Sequence, residues 1–190
     1  MPKKEIQKNL PPGQYLTDDF PVLHIGPIPE FKEEDWKFRI FGAVEEPLTL
    51  SYQEFMALPR VKCMADFHCV TGWSRLNNEW EGVAFRELMK IIRPKAAARF
   101  ATVHCEGGYT TNLPLAVLMD DDVLFAFQHD GQPLPPEHGW PVRLIVPKRY
   151  AYKSAKWVRG LELMEADRPG FWEARGYHND ADPWREERYG

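Results

Sequence analysis

Hydrophobic and polar residues alternate along one stretch near the start of the chain, 36–44, in the way typical of a half-buried β-strand. Every second residue from Trp36 to Ile40 is apolar, and the residues between them are charged. Further runs of β-branched, aromatic and other apolar residues are also predicted as strands, and they span 61–70, 100–105, 123–128, 142–146 and 156–164. We expect these strands to form the scaffold of the domain.

Short helices are predicted between the strands. Ser51 followed by Glu54 has the spacing of a capping box, which predicts a helix from 51 to about 58. Residues 83–92 carry apolar side chains at helical spacing, and 114–119 suit one or two helical turns. Strands mixed with short helices, without an internal repeat or a linker, predict a single α+β domain.

The two ends of the chain differ from its middle. Residues 1–14 are charged and finish in a Pro-Pro-Gly run, so they are predicted to be a flexible tail, which leaves 15–190 as the domain. Residues 15–29 mix prolines with apolar residues, which suits an extended segment on the domain surface. Residues 167–190 are aromatic and rich in predicted loops, and we expect them to wrap around the domain.

Composition limits the possible functions. The chain of 190 residues has a formal net charge of −4, which argues against general binding to nucleic acid or to an anionic membrane, although a local basic pocket remains possible. No window approaches the roughly 18 apolar residues of a membrane span, and no signal peptide or twin arginine is visible. Three cysteines suit a reducing compartment better than a disulfide framework. A cytoplasmic protein is therefore expected.

The candidate chemistry begins in the stretch 66–82, DFHCVTGWSRLNNEWEG. Cys69 follows a predicted strand, at the start of a predicted loop whose glycines and whose tryptophans Trp73 and Trp80 suggest a concave aromatic wall. A thiolate there could ligate a soft metal. A buried cysteine can equally be an inert small hydrophobe, and residue chemistry alone leaves both interpretations open.

Cys69 and its neighbours also allow chemistries other than ligation of a soft metal. The pairs His68–Cys69 and His104–Cys105 suggest zinc, but neighbouring residues in a strand point to opposite faces, and no Cys-x-x-Cys spacing occurs. A cysteine hydrolase would need an imidazole beside Cys69, and nothing in the sequence pairs them. A further alternative is a non-catalytic domain that binds a cofactor or partner through its aromatic loop.

A second informative stretch lies at 138–157, HGWPVRLIVPKRYAYKSAKW. Arg143 falls within a predicted buried strand, where a charge needs a partner. That partner could be one of the 28 carboxylates of the chain or an anionic ligand such as a phosphate. Further basic residues follow closely and predict a local basic cluster in an otherwise acidic protein; they are Lys148, Arg149, Lys153 and Lys156.

These two stretches resemble the sulfite oxidase family. The run HCVTGWS followed by WEG is similar to the family's loop that supplies the cysteine ligand of molybdenum, and it is closest to the branch resembling the catalytic subunit of periplasmic methionine sulfoxide reductase. HGWPVR and SAKW match segments with which the family binds its pterin cofactor. The resemblance covers about 19–164 and implies the mixed-sheet α+β fold of the family's molybdopterin-binding domain.

The resemblance also implies a cofactor and roles for individual residues. One molybdopterin would hold molybdenum through its dithiolene, and Cys69 would complete the metal centre as a thiolate. Arg143 and Lys156 would neutralise the pterin phosphate, while Trp80 would wall the substrate pocket. Further pterin contacts are expected at His24, Cys105, His138, Ser154 and Ala155.

The activity implied by the resemblance is transfer of an oxygen atom to or from a small molecule, with the metal cycling between Mo(VI) and Mo(IV) and electrons passing singly to a separate partner. Departures from the family pattern bear on the substrate. Leu23 and Ser74 stand where sulfite oxidases carry arginines, and Thr71 stands where the methionine sulfoxide reductase branch carries an acidic residue. Neither sulfite nor methionine sulfoxide is therefore favoured as the substrate.

Overall fold

Residues 10–190 are described by the computed structural model, which arranges their strands in two sheets. The first sheet has six strands: Tyr15–Leu16 (β1), Val61–His68 (β4), Trp73–Ala84 (β5), Leu124–His129 (β8), Gln132–Pro133 (β9) and Arg143–Ile145 (β10). The second sheet has five strands: Lys37–Gly42 (β2), Leu48–Ser51 (β3), Phe100–Cys105 (β6), Thr110–Pro114 (β7) and Val158–Met164 (β11).

Both sheets are mixed, as the expected fold class requires. The first runs in the order β1-β5-β8-β10, with β4 paired to β5 and β9 paired to β8, and the second runs β3-β2-β11-β6-β7. The pairs β1 with β5 and β11 with β2 are parallel, whereas the other pairs are antiparallel. The α+β class is therefore confirmed.

The helices are short and lie at strand ends. The α-helices are Tyr52–Met56 (α1), Phe85–Ile91 (α2) and Leu115–Leu118 (α3). Single 3-10 turns occupy Glu33–Asp35, Glu106–Gly108, Pro136–His138, Ala151–Lys153 and Glu173–Arg175. The predicted capping box is present, because the Ser51 side chain accepts from the Glu54 backbone N–H while the Glu54 carboxylate accepts from the Ser51 N–H.

The stretch 73–82, expected to be a loop, is instead part of strand β5. This strand pairs with β4 on one side and with β8 on the other, and both pairings contain a register shift. The strand is irregular, because Asn77 adopts a positive φ of 55°. Asparagines such as Asn77 and Asn78 are typical of turns, so the sequence of this strand resembles that of a loop. Gly82 is needed for close approach, since a Cβ there would lie 2.1 Å from the Phe125 carbonyl oxygen.

Two apolar clusters bury the first sheet on both faces. Alternate residues of β8 point to opposite sides, so that Phe125 and Phe127 enter the main core while Leu124 and Ala126 face the second cluster. The main core also takes side chains from the five-stranded sheet and therefore lies between the sheets. The second cluster contains Cys69.

The ends of the described chain are packed against the domain. Leu10 and Gln14 are buried, and β1 begins directly after them, so the predicted tail boundary at residue 14 is too late. The rest of that predicted tail, residues 1–9, lies outside the described residues. At the other end, the Ala181 carbonyl accepts a hydrogen bond from the backbone N–H of Tyr150 at 2.8 Å. The carboxy-terminal segment that contains Ala181 thus wraps around the domain.

Candidate active site

A cavity of about 710 Å³ opens beside the turn between β4 and β5. This volume falls within the roughly 300–1,000 Å³ range of small-molecule and cofactor sites. Its walls come from the extended segment 20–29, the turn after β4, the 3-10 turn Glu106–Gly108, the block 151–157 and the carboxy-terminal segment. Stretches far apart in sequence therefore build one pocket.

Cys69 sits at the wall of this cavity in a tightly held turn. Its backbone N–H donates to Trp73 at 2.8 Å, and its carbonyl accepts from the Gly72 N–H at 3.0 Å and from the Gln14 side chain at 3.1 Å. Gly72 has a φ of +106°, which favours glycine. The Cys69 sulfur lies 3.1 Å from the Thr71 hydroxyl oxygen. The turn thus fixes where the thiol faces the pocket.

Arg143 enters the same cavity from β10 and is 6% exposed. Its Nη1 donates to the carbonyl of His138 at 3.1 Å, and its guanidinium lies 4.9 Å from the Phe67 ring centroid. Its Nε has no hydrogen-bond partner among residues 10–190. No carboxylate within residues 10–190 forms a salt bridge with it. Burial lowers the pKa of Arg143 to about 10. This charge lacks the carboxylate partner that a structural role would require.

Lys156 is a second cation without a carboxylate among the described residues. Its ammonium donates to the carbonyl oxygens of Leu23 and Glu137, each at 2.8 Å, and lies 4.7 Å from the Trp157 ring centroid. Burial, and then repulsion from Arg143, lowers the pKa of Lys156 to about 7. An anion placed between the two cations would relieve this cost.

The remainder of the predicted basic cluster does not line the cavity. Lys148 pairs with Asp120 at 2.9 Å, and Arg149 pairs with Asp180 at 2.9 Å. Lys153 is fully buried and lies 2.5 Å from the carboxylate of Glu173. The expectation of a local basic cluster is therefore wrong for these three residues, because carboxylates distant in sequence neutralise them.

Four other predicted cofactor contacts do line the cavity: His24, His138, Ser154 and Ala155. His138 is held neutral near pH 7, because burial and the neighbouring Arg143 lower its pKa. The Ser154 hydroxyl oxygen accepts from the Val146 N–H at 2.9 Å, and the Ala155 carbonyl accepts from the Leu144 N–H at 2.8 Å. These bonds hold this block against β10.

Two predicted site residues are not among those that line the cavity. Trp80 is fully buried within β5, and its ring stacks on His129 at 4.2 Å, so its predicted role as a wall of the substrate pocket is wrong. Cys105 is buried at the end of β6, and burial raises its pKa well above the usual range. A thiol kept protonated in an apolar environment suits packing better than ligation.

Several aromatic residues of the cavity were missed by sequence reasoning. They are Phe20, Tyr109, Tyr152, Trp157, Phe171, Trp172 and Tyr177. Trp157 adjoins the recognised SAKW run, which could have signalled it, whereas the carboxy-terminal aromatics carried no such signal. Their positions depend on contacts between distant parts of the chain.

The alternative chemistries find little support in the geometry. Within residues 10–190, no three or more His, Cys, Asp or Glu side chains are grouped so that they could hold a metal ion, which a zinc site needs. Among the same residues, the Cys69 sulfur makes its polar contact with the Thr71 hydroxyl, and the His68 ring forms a hydrogen bond with the Ser74 hydroxyl at 2.8 Å. No thiol–imidazole pair therefore forms in that part of the chain. None of the described helices has the length and apolar character of a membrane span.

The residues present fit an anionic metal–pterin group. Within the part of the chain that the structure describes, a buried arginine Nε without a partner and two cations without carboxylates mark a place for an anion such as a phosphate. The Cys69 thiol on the same cavity is a soft metal ligand. A family model described as oxidoreductase molybdopterin binding domain matches residues 25–172. The chain belongs to this molybdopterin-binding family.

Individual relatives agree with the family. The uncharacterized oxidoreductase YuiH of Bacillus subtilis (strain 168) is 43% identical over 181 residues, which cover 95% of this chain and 91% of that protein. The protein-methionine-sulfoxide reductase catalytic subunit MsrP of Campylobacter jejuni is 28% identical over 167 residues, which cover 76% of this chain and 54% of that protein. The chain therefore spans about half of the length of MsrP.

A solved structure shows the same fold. The sulfane dehydrogenase SoxCD of Paracoccus pantotrophus superposes with a TM-score of 0.68 at 24% identity, covering 78% of this chain and 42% of that chain. The predicted family and cofactor are confirmed, and the chain is a molybdenum–molybdopterin oxidoreductase of the sulfite oxidase type.

Proposed function

We propose that Cys69 is the thiolate ligand of molybdenum and that the chain catalyses oxygen-atom transfer to or from a small uncharged molecule. One observation carries the proposal: the thiol at the end of β4 lines a single cavity together with Arg143 and Lys156, two cations that have no carboxylate partner among residues 10–190. This arrangement offers a metal ligand and an anchor for a phosphate in the same pocket.

The residues of the chain would bind and orient the cofactor. The planar guanidinium of Arg143 suits bidentate bonding to the phosphate, and each charged hydrogen bond contributes roughly 1.5–3 kcal/mol. Lys156 would exchange its carbonyl partners for the phosphate, which would raise its pKa back above neutrality. When bound, the molybdenum–pterin group supplies two-electron oxygen-atom transfer. The hydrogen bonds that fix the turn of Cys69 would hold the metal at a constant position in the pocket.

Charge at the pocket argues against a strongly anionic substrate. Leu23 lines the cavity in place of an arginine, while Ser74 is buried and bonded to His68 and Gln14. Arg75 points elsewhere, since it binds Asp130 at 2.6 Å. The cavity's own cations are those assigned to the cofactor phosphate. A sulfite or nitrate ion would therefore find little additional positive charge.

We also propose a separate electron carrier and a cytoplasmic location. The relative MsrP is described as a catalytic subunit, which supports the involvement of a second protein in its reaction. Three free cysteines within the described residues support a reducing compartment. Co-purification and fractionation from the native host would test both.

The test of the function is a matched pair of cysteine variants. Protein made in a host that synthesises molybdopterin should contain molybdenum and pterin in stoichiometric amounts, and with reduced viologen as donor it should reduce an organic sulfoxide. Each turnover takes two electrons and two protons, breaks the S–O bond and releases a sulfide and water. Cys69→Ser should abolish turnover without unfolding the chain.

The control is Cys63→Ser, because Cys63 is also a free thiol but does not line the cavity. This variant should keep both turnover and cofactor. Full activity of Cys69→Ser would show that the assigned ligand is wrong, and loss of activity in both variants would show that the effect is not specific to the cavity.

A further inference from the structure

The carboxy-terminal segment, residues 170–190, forms one side of the cavity although the cofactor site described above does not use it. Trp172 and Tyr177 line the pocket beside the turn that holds Cys69. Their rings lie 4.8 Å apart between centroids, and both pack in a cluster that includes Tyr152. The segment therefore contributes an aromatic surface to the pocket.

Buried polar contacts fix this segment in place. Glu173 lies 2.5 Å from Lys153, and the two side chains are 2% and 0% exposed. The Arg188 guanidinium donates to the carbonyl of Val70, the residue directly after Cys69. The segment is thus attached both to the main domain and to the turn that contains Cys69, and it forms a fixed wall of the pocket.

The aromatic wall lies on the Cys69 side of the cavity. Trp172 and Tyr177 pack with Val70, whereas Lys156 contacts Leu23 and Trp157. The wall and Lys156 therefore belong to different parts of the pocket.

The wall offers hydrogen bonding but no charge, because the residues of the segment that line the cavity are Phe171, Trp172 and Tyr177. Asp180 is neutralised by Arg149 at 2.9 Å, as Glu173 is by Lys153. The Tyr152 hydroxyl is occupied, since it donates to the His178 carbonyl at 2.6 Å. The Tyr177 hydroxyl makes no hydrogen bond with any described residue, so it is available to a ligand oxygen.

We propose that Trp172 and Tyr177 of segment 170–190 form the specificity-determining wall of the substrate pocket and receive an uncharged organic substrate that has a flat apolar group. The Tyr177 hydroxyl donates a hydrogen bond to the oxygen of that substrate. The proposal rests on the proposed function, because the assignment of Cys69 as metal ligand defines which part of the cavity receives substrate. It assigns a role to residues outside the cofactor-binding set.

Binding tests the wall without turnover. Methyl phenyl sulfone, which has the ring and the sulfur-bound oxygen but is not expected to react, would be titrated into the cofactor-loaded protein by calorimetry. Trp172→Leu should raise the Kd by roughly 3- to 10-fold through loss of aromatic packing. Tyr177→Phe should raise it by roughly 2- to 10-fold through loss of one hydrogen bond.

The matched control is Trp184→Leu, a tryptophan of the same segment that is 54% exposed and does not line the cavity. Its Kd should equal that of the wild type. Absence of sulfone binding by the wild type, or an unchanged Kd in Trp172→Leu, would overturn the proposal. Loss of molybdenum or pterin from Trp172→Leu would also overturn it, because the wall would then hold the cofactor instead of the substrate.

Turnover separates this proposal from the proposed function. With reduced viologen as donor, Trp172→Leu should raise the KM for methyl phenyl sulfoxide more than the KM for dimethyl sulfoxide, because only the first of these substrates has the flat group that Trp172 receives. An equal rise for both sulfoxides would contradict recognition of the flat group. If the loaded wild type reduces neither sulfoxide, oxygen transfer to this class fails, and the sulfone titration still decides the role of the wall.

Discussion

Replacing Arg143 with methionine should stabilise the cofactor-free protein while removing its capacity to hold the cofactor. The guanidinium is 6% exposed, has no carboxylate partner within residues 10–190, and has a pKa lowered by burial from 12.5 to about 10. A difference of about 2.5 pKa units corresponds to roughly 3 kcal/mol of unfavourable free energy for the buried charge. A methionine side chain is similar in length to that of arginine and is apolar, so it occupies the same space without burying a charge.

Part of this gain is offset by lost contacts. The hydrogen bond to His138 at 3.1 Å and the contacts with the rings of Phe67 and Phe20 are together worth roughly 1–2 kcal/mol. The free energy of unfolding of the cofactor-free variant should therefore rise by about 1–2 kcal/mol, or roughly 4 °C in Tm. The gain should be larger near pH 6 than near pH 9, because Arg143 stays charged over this range whereas Lys156, whose folded pKa is about 7, loses the charge that Arg143 repels as the pH rises.

The assay combines urea unfolding of cofactor-free protein with metal and pterin analysis of protein from a cofactor-producing host. Arg143→Met should lower the affinity for the phosphate group by roughly 100-fold or more. Lys148→Met is the control, because Lys148 is an exposed lysine paired with Asp120, and it should change stability by less than about 0.5 kcal/mol and keep the cofactor. Stoichiometric pterin in Arg143→Met, or a less stable cofactor-free variant, would refute the reasoning.

Two further predictions concern buried charges. Lys156 has a pKa of about 7 in the cofactor-free protein, so it is charged below that pH and neutral above it. The rise in Tm produced by a fixed concentration of sulfate should therefore fall as the pH increases from about 6 to about 8.5. A rise that does not depend on pH, or the same pH dependence in Lys156→Met, would argue against this. Glu173→Ala should destabilise the protein by roughly 3–5 kcal/mol in urea unfolding, because it leaves Lys153 buried and unpaired. Glu79→Ala, which removes the exposed partner of Lys62, should cost less than about 1 kcal/mol, and equal costs for the two carboxylates would contradict the role of burial.

Sequence reasoning reached the cofactor site because its main signals are local. The Cys69 turn and the block around Arg143 each carry their chemistry within a few neighbouring residues, and both lie on one cavity. The strands 100–105 and 142–146 were likewise visible as apolar runs and correspond to β6 and β10, with Arg143 at the start of the observed β10. Family membership then follows from residues that the printed sequence shows directly.

The features that sequence reasoning missed depend on long-range contacts. Trp80 was assigned to a pocket wall because β5, with its asparagines and register shifts, looks like a loop. Lys153 was assigned to a basic cluster because its partner Glu173 lies in a segment whose path could not be predicted. The same segment places Trp172 in the cavity, and only packing against the rest of the domain determines that position.

The most direct test of the central claim is X-ray absorption at the molybdenum edge of the loaded protein. Molybdenum in the wild type should be bound by the two dithiolene sulfurs and by one further sulfur from Cys69. Cys69→Ser should lose one sulfur neighbour, whereas Cys63→Ser should keep them all. An unchanged sulfur count in Cys69→Ser would contradict the assignment of Cys69 as the metal ligand.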